Sequence, residues 1–96
     1  MKSGKKSKLK LIVYGTEGCI PCERAVKYLS EMGIEWEYID IEKNEEARMT
    51  VEMIEGGELL LPLILNPENE QIALGCPVEK EKFEREIGRI VSQDRW

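Results

Sequence analysis

Apolar positions along the chain fall into blocks with two distinct periods. Leu9 to Tyr14 is a short continuous apolar run, rich in branched and aromatic residues and broken only by Lys10, and it reads as a buried strand. Cys22 to Met32 carries Ala25, Val26, Leu29 and Met32 on one face of an amphipathic helix, which Gly33 ends. Glu35 to Ile41 alternates, with Trp36, Tyr38 and Asp40 on one side and Ile39 and Ile41 on the other, as in a strand with one better-buried face. Asn44 is an N-cap residue, with Glu45 and Glu46 placed for the first turn of a second helix. Ala47, Val51 and Ile54 form its stripe, Met49 and Met53 flank it, and Gly56-Gly57 stops it.

Leu59-Leu60-Leu61-Pro62 leads into a third strand over Leu63-Ile64-Leu65, and Asn66-Pro67-Glu68-Asn69 has turn chemistry. A fourth strand, Glu70 to Leu74, is expected to run antiparallel to the third after so tight a turn. Gly75-Cys76-Pro77 is a second turn. Val78 to Val91 is the last helix, with Val78, Phe83, Ile87, Ile90 and Val91 inward and Glu79 to Glu86 a solvated face holding pairs such as Glu81 with Arg85. The order β-α-β-α-β-β-α predicts an α/β fold: a central four-stranded mixed sheet with helices on both faces, its first two strands parallel.

The chain has 96 residues, which is one domain, expected over residues 9–92. Residues 1–8 read as a disordered basic tail. Five lysines stand in the first ten residues, leaving nine basic residues against 19 acidic ones in the rest. So acidic a body argues against nucleic acid as the main ligand. No apolar run approaches the ~20 residues of a membrane span, and no secretory signal pattern opens the chain, so the expected setting is the cytoplasm, away from the membrane.

The chemistry lies at the junction of the first strand and first helix, in Gly18-Cys19-Ile20-Pro21-Cys22. Two cysteines at this spacing close a redox disulfide or clamp a metal. A structural zinc site uses four Cys or His ligands, whereas this chain has no His and one further cysteine, Cys76. The strand-to-helix setting favours the redox pair. Cys19 falls at the helix N-terminus, where free N–H groups and the macrodipole favour a thiolate, the attacking form of cysteine. Pro21 suits the first turn, which needs no donor there. Three readings of Cys76 stay open: a small buried apolar residue, a third thiol or glutathione contact at the rim of the site, or a ligand to a metal or cluster.

Tyr14 to Cys22, Gly33 to Ile41, Leu61-Pro62 and Leu74-Gly75-Cys76 together resemble the glutaredoxin branch of the thioredoxin-like fold. The resemblance covers residues 9 to 91. It implies a dithiol–disulfide oxidoreductase in which Cys19 attacks a substrate disulfide and Cys22 resolves the mixed disulfide, with no cofactor and no metal. It implies a cis peptide bond before Pro62, and substrate binding by Leu61, Pro62, Gly75 and Cys76. Tyr14 is read as a strand-end core residue that also borders this groove. Thr16 and Glu17 stand where the family often has a lysine for glutathione, and Pro77 stands where it often has an aspartate. The expected partners are therefore a disulfide-containing protein and a protein disulfide reductase, with the protein a monomer. The alternative is a glutathione-linked glutaredoxin, or an iron–sulfur or metal carrier that uses Cys19.

Overall fold

A computed structural model describes residues 9–56 and 60–91. The basic tail, Gly57 to Leu59, and residue 92 of the expected domain lie outside them. The elements are β1 (Lys10–Gly15), α1 (Ile20–Glu31), β2 (Glu35–Asp40), α2 (Glu45–Glu55), β3 (Leu63–Asn66), β4 (Gln71–Leu74) and α3 (Lys80–Val91). They build the expected thioredoxin-like α/β arrangement. The sheet order is β2-β1-β3-β4, with β1 and β2 parallel and β3 antiparallel to both β1 and β4.

Each face of the sheet buries its own cluster. Leu11, Val13, Ile64 and Ala73 meet Ala25 and Leu29 of α1 and Phe83, Ile87 and Ile90 of α3 on one side. Tyr14, Ile41 and Leu63 meet Ala47 and Val51 of α2 on the other. Trp36 and Tyr38 pack against the first cluster and Ile39 against the second, as the alternation along β2 requires. Tyr28 and Phe83 meet as a tilted aromatic pair with ring centroids 5.5 Å apart, joining α1 to α3.

Local signals set most boundaries. The Asn44 side chain accepts from Ala47 N–H at 3.0 Å and caps α2, which ends at Gly56 with φ 75°. Helix α1 begins at Ile20, ahead of the first residue of its apolar face, because Cys19 acts as the N-cap. Two expected core positions are corrected. Val78 is 73% exposed, and α3 starts only at Lys80. Tyr28 Oη donates to Val78 O at 2.6 Å and Arg24 Nη2 donates to Cys76 O at 2.6 Å, so 76–78 runs as a strap across α1 instead of a helical turn. Ile54, in the last turn of α2, is also exposed and lies outside the second cluster. On α3 the ion pairs near the expected Glu81–Arg85 are Lys80–Glu84, Lys82–Glu79 and Arg89–Glu86.

The β3–β4 turn does more than reverse the chain. Asn66, 3% exposed, donates from Nδ2 to Ile90 O at 2.8 Å, and Asn69 Nδ2 reaches the same carbonyl at 3.0 Å. Two amides thereby satisfy a last-turn carbonyl of α3. Asn66→Ala should lower stability by about 1–3 kcal/mol, since it also frees Glu68 N–H from Asn66 Oδ1. A urea denaturation midpoint unchanged from wild type would contradict this role.

Candidate active site

The end of β1 delivers the chain to the mouth of α1. Gly18 takes φ 81°, a left-handed conformation that suits glycine, and turns the backbone so that Cys19 is extended (φ −81°, ψ 106°) at the N-cap. Cys19 and Cys22 form a disulfide with Cα atoms 5.2 Å apart. The two sulfurs are not equivalent. Cys22 is fully buried, whereas Cys19 is partly exposed. Cys22 N–H also donates to Cys19 Sγ at 3.2 Å, one of the free donors of the helix mouth spent on the outer sulfur. A donor and a helix dipole aimed at that sulfur favour negative charge on it.

Gly15 is the floor beneath the inner sulfur. A Cβ built there would lie 2.7 Å from Cys22 Sγ and 2.9 Å from Tyr38 Cζ, and closer still to the Tyr38 hydroxyl. Its carbonyl accepts from Ile41 N–H at 2.9 Å, and Tyr38 Oη donates to Thr16 O at 2.7 Å. The backbone under the disulfide is thus clamped from β2.

Three other segments converge on this end of the sheet. Tyr14 pairs with Leu63, so the residue before β3, Pro62, lies level with Gly15. The Leu61-Pro62 bond is cis, as the resemblance implied. Pro62 O accepts from Gly75 N–H at 2.8 Å, which joins the proline loop to the Gly75 turn. Arg24 then ties the next residue, Cys76, to α1. Leu61, Pro62, Gly75 and Cys76 are therefore gathered with the cysteines at one end of the sheet. Leu61 is partly exposed, while Pro62 and Cys76 are buried. Tyr14 is 7% exposed in the α2 cluster, behind the site and not on its surface.

Sequence reasoning missed Arg24 and the close packing of Gly15 against Tyr38 and Cys22. The available signals were the i,i+4 spacing of Arg24 and Tyr28, which both reach the strap, and a glycine at the end of a buried strand. Burial is the main cause that raises the Cys76 thiol above its ordinary value, and the Arg24 guanidinium partly offsets it. Tyr14 and Tyr38 are also raised, by burial first and then by nearby carboxylates. Among the described residues no group of three or more His, Cys, Asp or Glu side chains is arranged to hold a metal ion, and no helix is long and apolar enough to cross a membrane.

Comparison with known proteins matches this geometry. The glutaredoxin family model matches residues 11–57. The Gene 56 protein of Mycobacterium phage D29 is 33% identical over 42 residues, covering 44% of this chain and 47% of that protein. The chain thus spans about half the length of that curated relative. Glutaredoxin from Brucella melitensis superposes with a TM-score of 0.65 at 27% identity, over 90% of this chain and 89% of its own. NrdH-redoxin from Escherichia coli, described as a glutaredoxin-like protein with a thioredoxin-like activity profile, superposes with a TM-score of 0.62 over 80% and 93%. At 17% identity, that second likeness is one of fold. Fold and dithiol together define a thiol-redox protein of the thioredoxin fold. Within that class, the chain is glutaredoxin-like.

Gly15→Ala should force Cys22 Sγ and Tyr38 from their places and destabilise the protein by about 1–3 kcal/mol; an unchanged thermal midpoint in both oxidised and reduced protein would refute the clamp. The raised acids set a second expectation. Folded protein holds the protons of Cys76, Tyr14 and Tyr38 to higher pH than the unfolded chain, whose ordinary values are 9.0 for Cys and 10.0 for Tyr. Their contribution is complete below pH 9 and is lost as pH climbs through the folded values. Urea midpoints should therefore fall between pH 8 and pH 11, and a flat profile would count against these burials.

Proposed function

We propose that the protein is a dithiol–disulfide oxidoreductase. The observation that carries this reading is the asymmetry of the pair: an outer sulfur, partly exposed and facing a helix N–H, and an inner sulfur with no exposed surface. In the reduced protein the Cys19 thiolate attacks one sulfur of a substrate disulfide. The substrate S–S bond breaks, a Cys19–substrate disulfide forms, and the first substrate sulfur leaves as thiolate. Cys22 gives up its proton and attacks Cys19 Sγ. The second substrate sulfur leaves, and the Cys19–Cys22 disulfide remains. Two electrons pass from the protein dithiol to the substrate. Leu61, Pro62, Gly75 and Cys76 frame the substrate, with the Leu61 backbone pairing to its extended chain.

The electron donor in this reading is a protein disulfide reductase. Thr16 and Glu17 offer no cation to the carboxylates of glutathione, and Pro77 cannot act as a carboxylate partner to its ammonium group. The thioredoxin-like activity profile attributed to NrdH-redoxin is consistent with the same choice.

Cys19→Ser should abolish reduction of a small disulfide, whereas Cys22→Ser should retain the first attack and accumulate mixed disulfide, seen by mass spectrometry. Equal loss without trapping would overturn the assignment of roles. Run in parallel, an NADPH-linked protein reductase should sustain turnover where glutathione with its own reductase does not. The reverse result would make the protein a glutathione-linked glutaredoxin.

A further inference from the structure

A groove of about 320 Å³ opens next to Gly18, on the β2 side of β1. Val26 of α1 and Trp36 and Tyr38 of β2 form its apolar lining, and Thr16, Gly18 and the exposed Glu17 and Glu23 complete it. Gly18 precedes Cys19 directly, so the groove begins where an attacking sulfur ends. Its aromatic lining is held in place. Trp36 Nε1 donates to Ser30 Oγ at 2.9 Å, and Tyr38 Oη is committed to Thr16 O.

Both charged groups lining the groove are acidic. Asp40 and Glu23 add to burial in raising the Tyr38 hydroxyl, which places negative potential at the apolar lining as well as the rim. Lys43 meets Glu17 at 3.7 Å, with both side chains more than 70% exposed. Such a pair contributes little and is readily exchanged for another cation.

We propose that this groove receives an arginine side chain of the polypeptide whose disulfide Cys19 attacks, two or three residues from the reacting cysteine. This rests on the exchange reading and names its substrate class: disulfides in basic segments. The chemistry fits arginine closely. Its methylene stem covers Val26, its guanidinium plane lies on the indole of Trp36, and its N–H groups pair with Glu17 and Glu23. An extended chain advances about 7 Å over two residues, which carries a side chain from the reacting sulfur past Gly18 into the groove.

The test uses the reduced full-length protein and two otherwise identical peptides. Each holds one cysteine as its mixed disulfide with 5-thio-2-nitrobenzoate and, two residues away, either arginine or its neutral isostere citrulline. Attack releases the coloured thiolate, and resolution by Cys22 releases the peptide thiol. We expect kcat/KM to be about fivefold higher for the arginine peptide at low salt, with the ratio falling to about one in Glu17→Gln/Glu23→Gln. A ratio near one in wild type, or a preference that survives the double variant, would overturn the proposal. A binding arm is independent of exchange. The same two peptides with serine for cysteine are titrated while the Trp36 indole N–H resonance is followed. A shift with arginine and none with citrulline supports the groove even if no thiolate is released, in which case the exchange reading alone fails. No shift with either peptide overturns the groove whatever the rates show.

Discussion

One hydrogen bond organises the molecule: Cys22 N–H donating to Cys19 Sγ at the first turn of α1. The two cysteines are identical side chains, and only their surroundings distinguish them. The helix mouth donates to one sulfur of the disulfide and not to the other, so it treats the two unequally. That bond exists only because α1 starts where it does. The start depends on Gly18 turning the chain and on Cys19 remaining extended at the cap. It depends equally on the buried face of the helix, where Ala25 and Leu29 follow Cys22 against the sheet and α3. Packing further along that face therefore holds one donor in register with one sulfur.

The inner sulfur is held by a different device. Gly15 brings backbone where any side chain would collide with Cys22, and β2 braces that backbone through Ile41 N–H and the Tyr38 hydroxyl. A parallel edge strand thus braces the backbone beneath the disulfide. On the opposite side, the Pro62 carbonyl and the Gly75 amide tie two loops into one wall, and Arg24 fastens that wall to the helix bearing the cysteines. Both cysteines lie within one short stretch of chain, and most of what positions them lies elsewhere.

That division explains what could be read from residues in order. Period-two and helical spacing, Asn44, Gly33, Gly56 and the apolar run before Cys19 are local signals, and each is realised within a residue or two. The strap at 76–78 is not local. Val78 follows the apolar pattern of α3, yet Tyr28 and Arg24 on α1 capture the carbonyls at 78 and 76 and turn its side chain outward. Asn66 reads as a turn residue, and its bond to Ile90 O spans 24 residues. Side-chain bonds to distant backbone leave no periodicity, so they become visible only when the fold brings their ends together. Tyr14 shows the same limit in reverse: its place beside the motif suggested the groove, and the sheet turned it beneath α2.

The acidic surroundings of the disulfide pose a physical question, because the exchange proposed above needs a thiolate at Cys19 while Glu17 and Glu23 line the groove next to Gly18. Two charges 4 Å apart in water interact by about 1 kcal/mol, and screening by salt reduces this further. Both carboxylates are exposed, whereas Cys22 N–H touches the sulfur directly. The nearer interaction wins, so the carboxylates tax the thiolate only slightly. On the exchange reading proposed above, their larger effect falls on what approaches: the acidic groove repels an anionic disulfide and attracts a cationic one. In that reading a contact inside the first helical turn sets reactivity and charges outside it set selection, so each is open to change without the other.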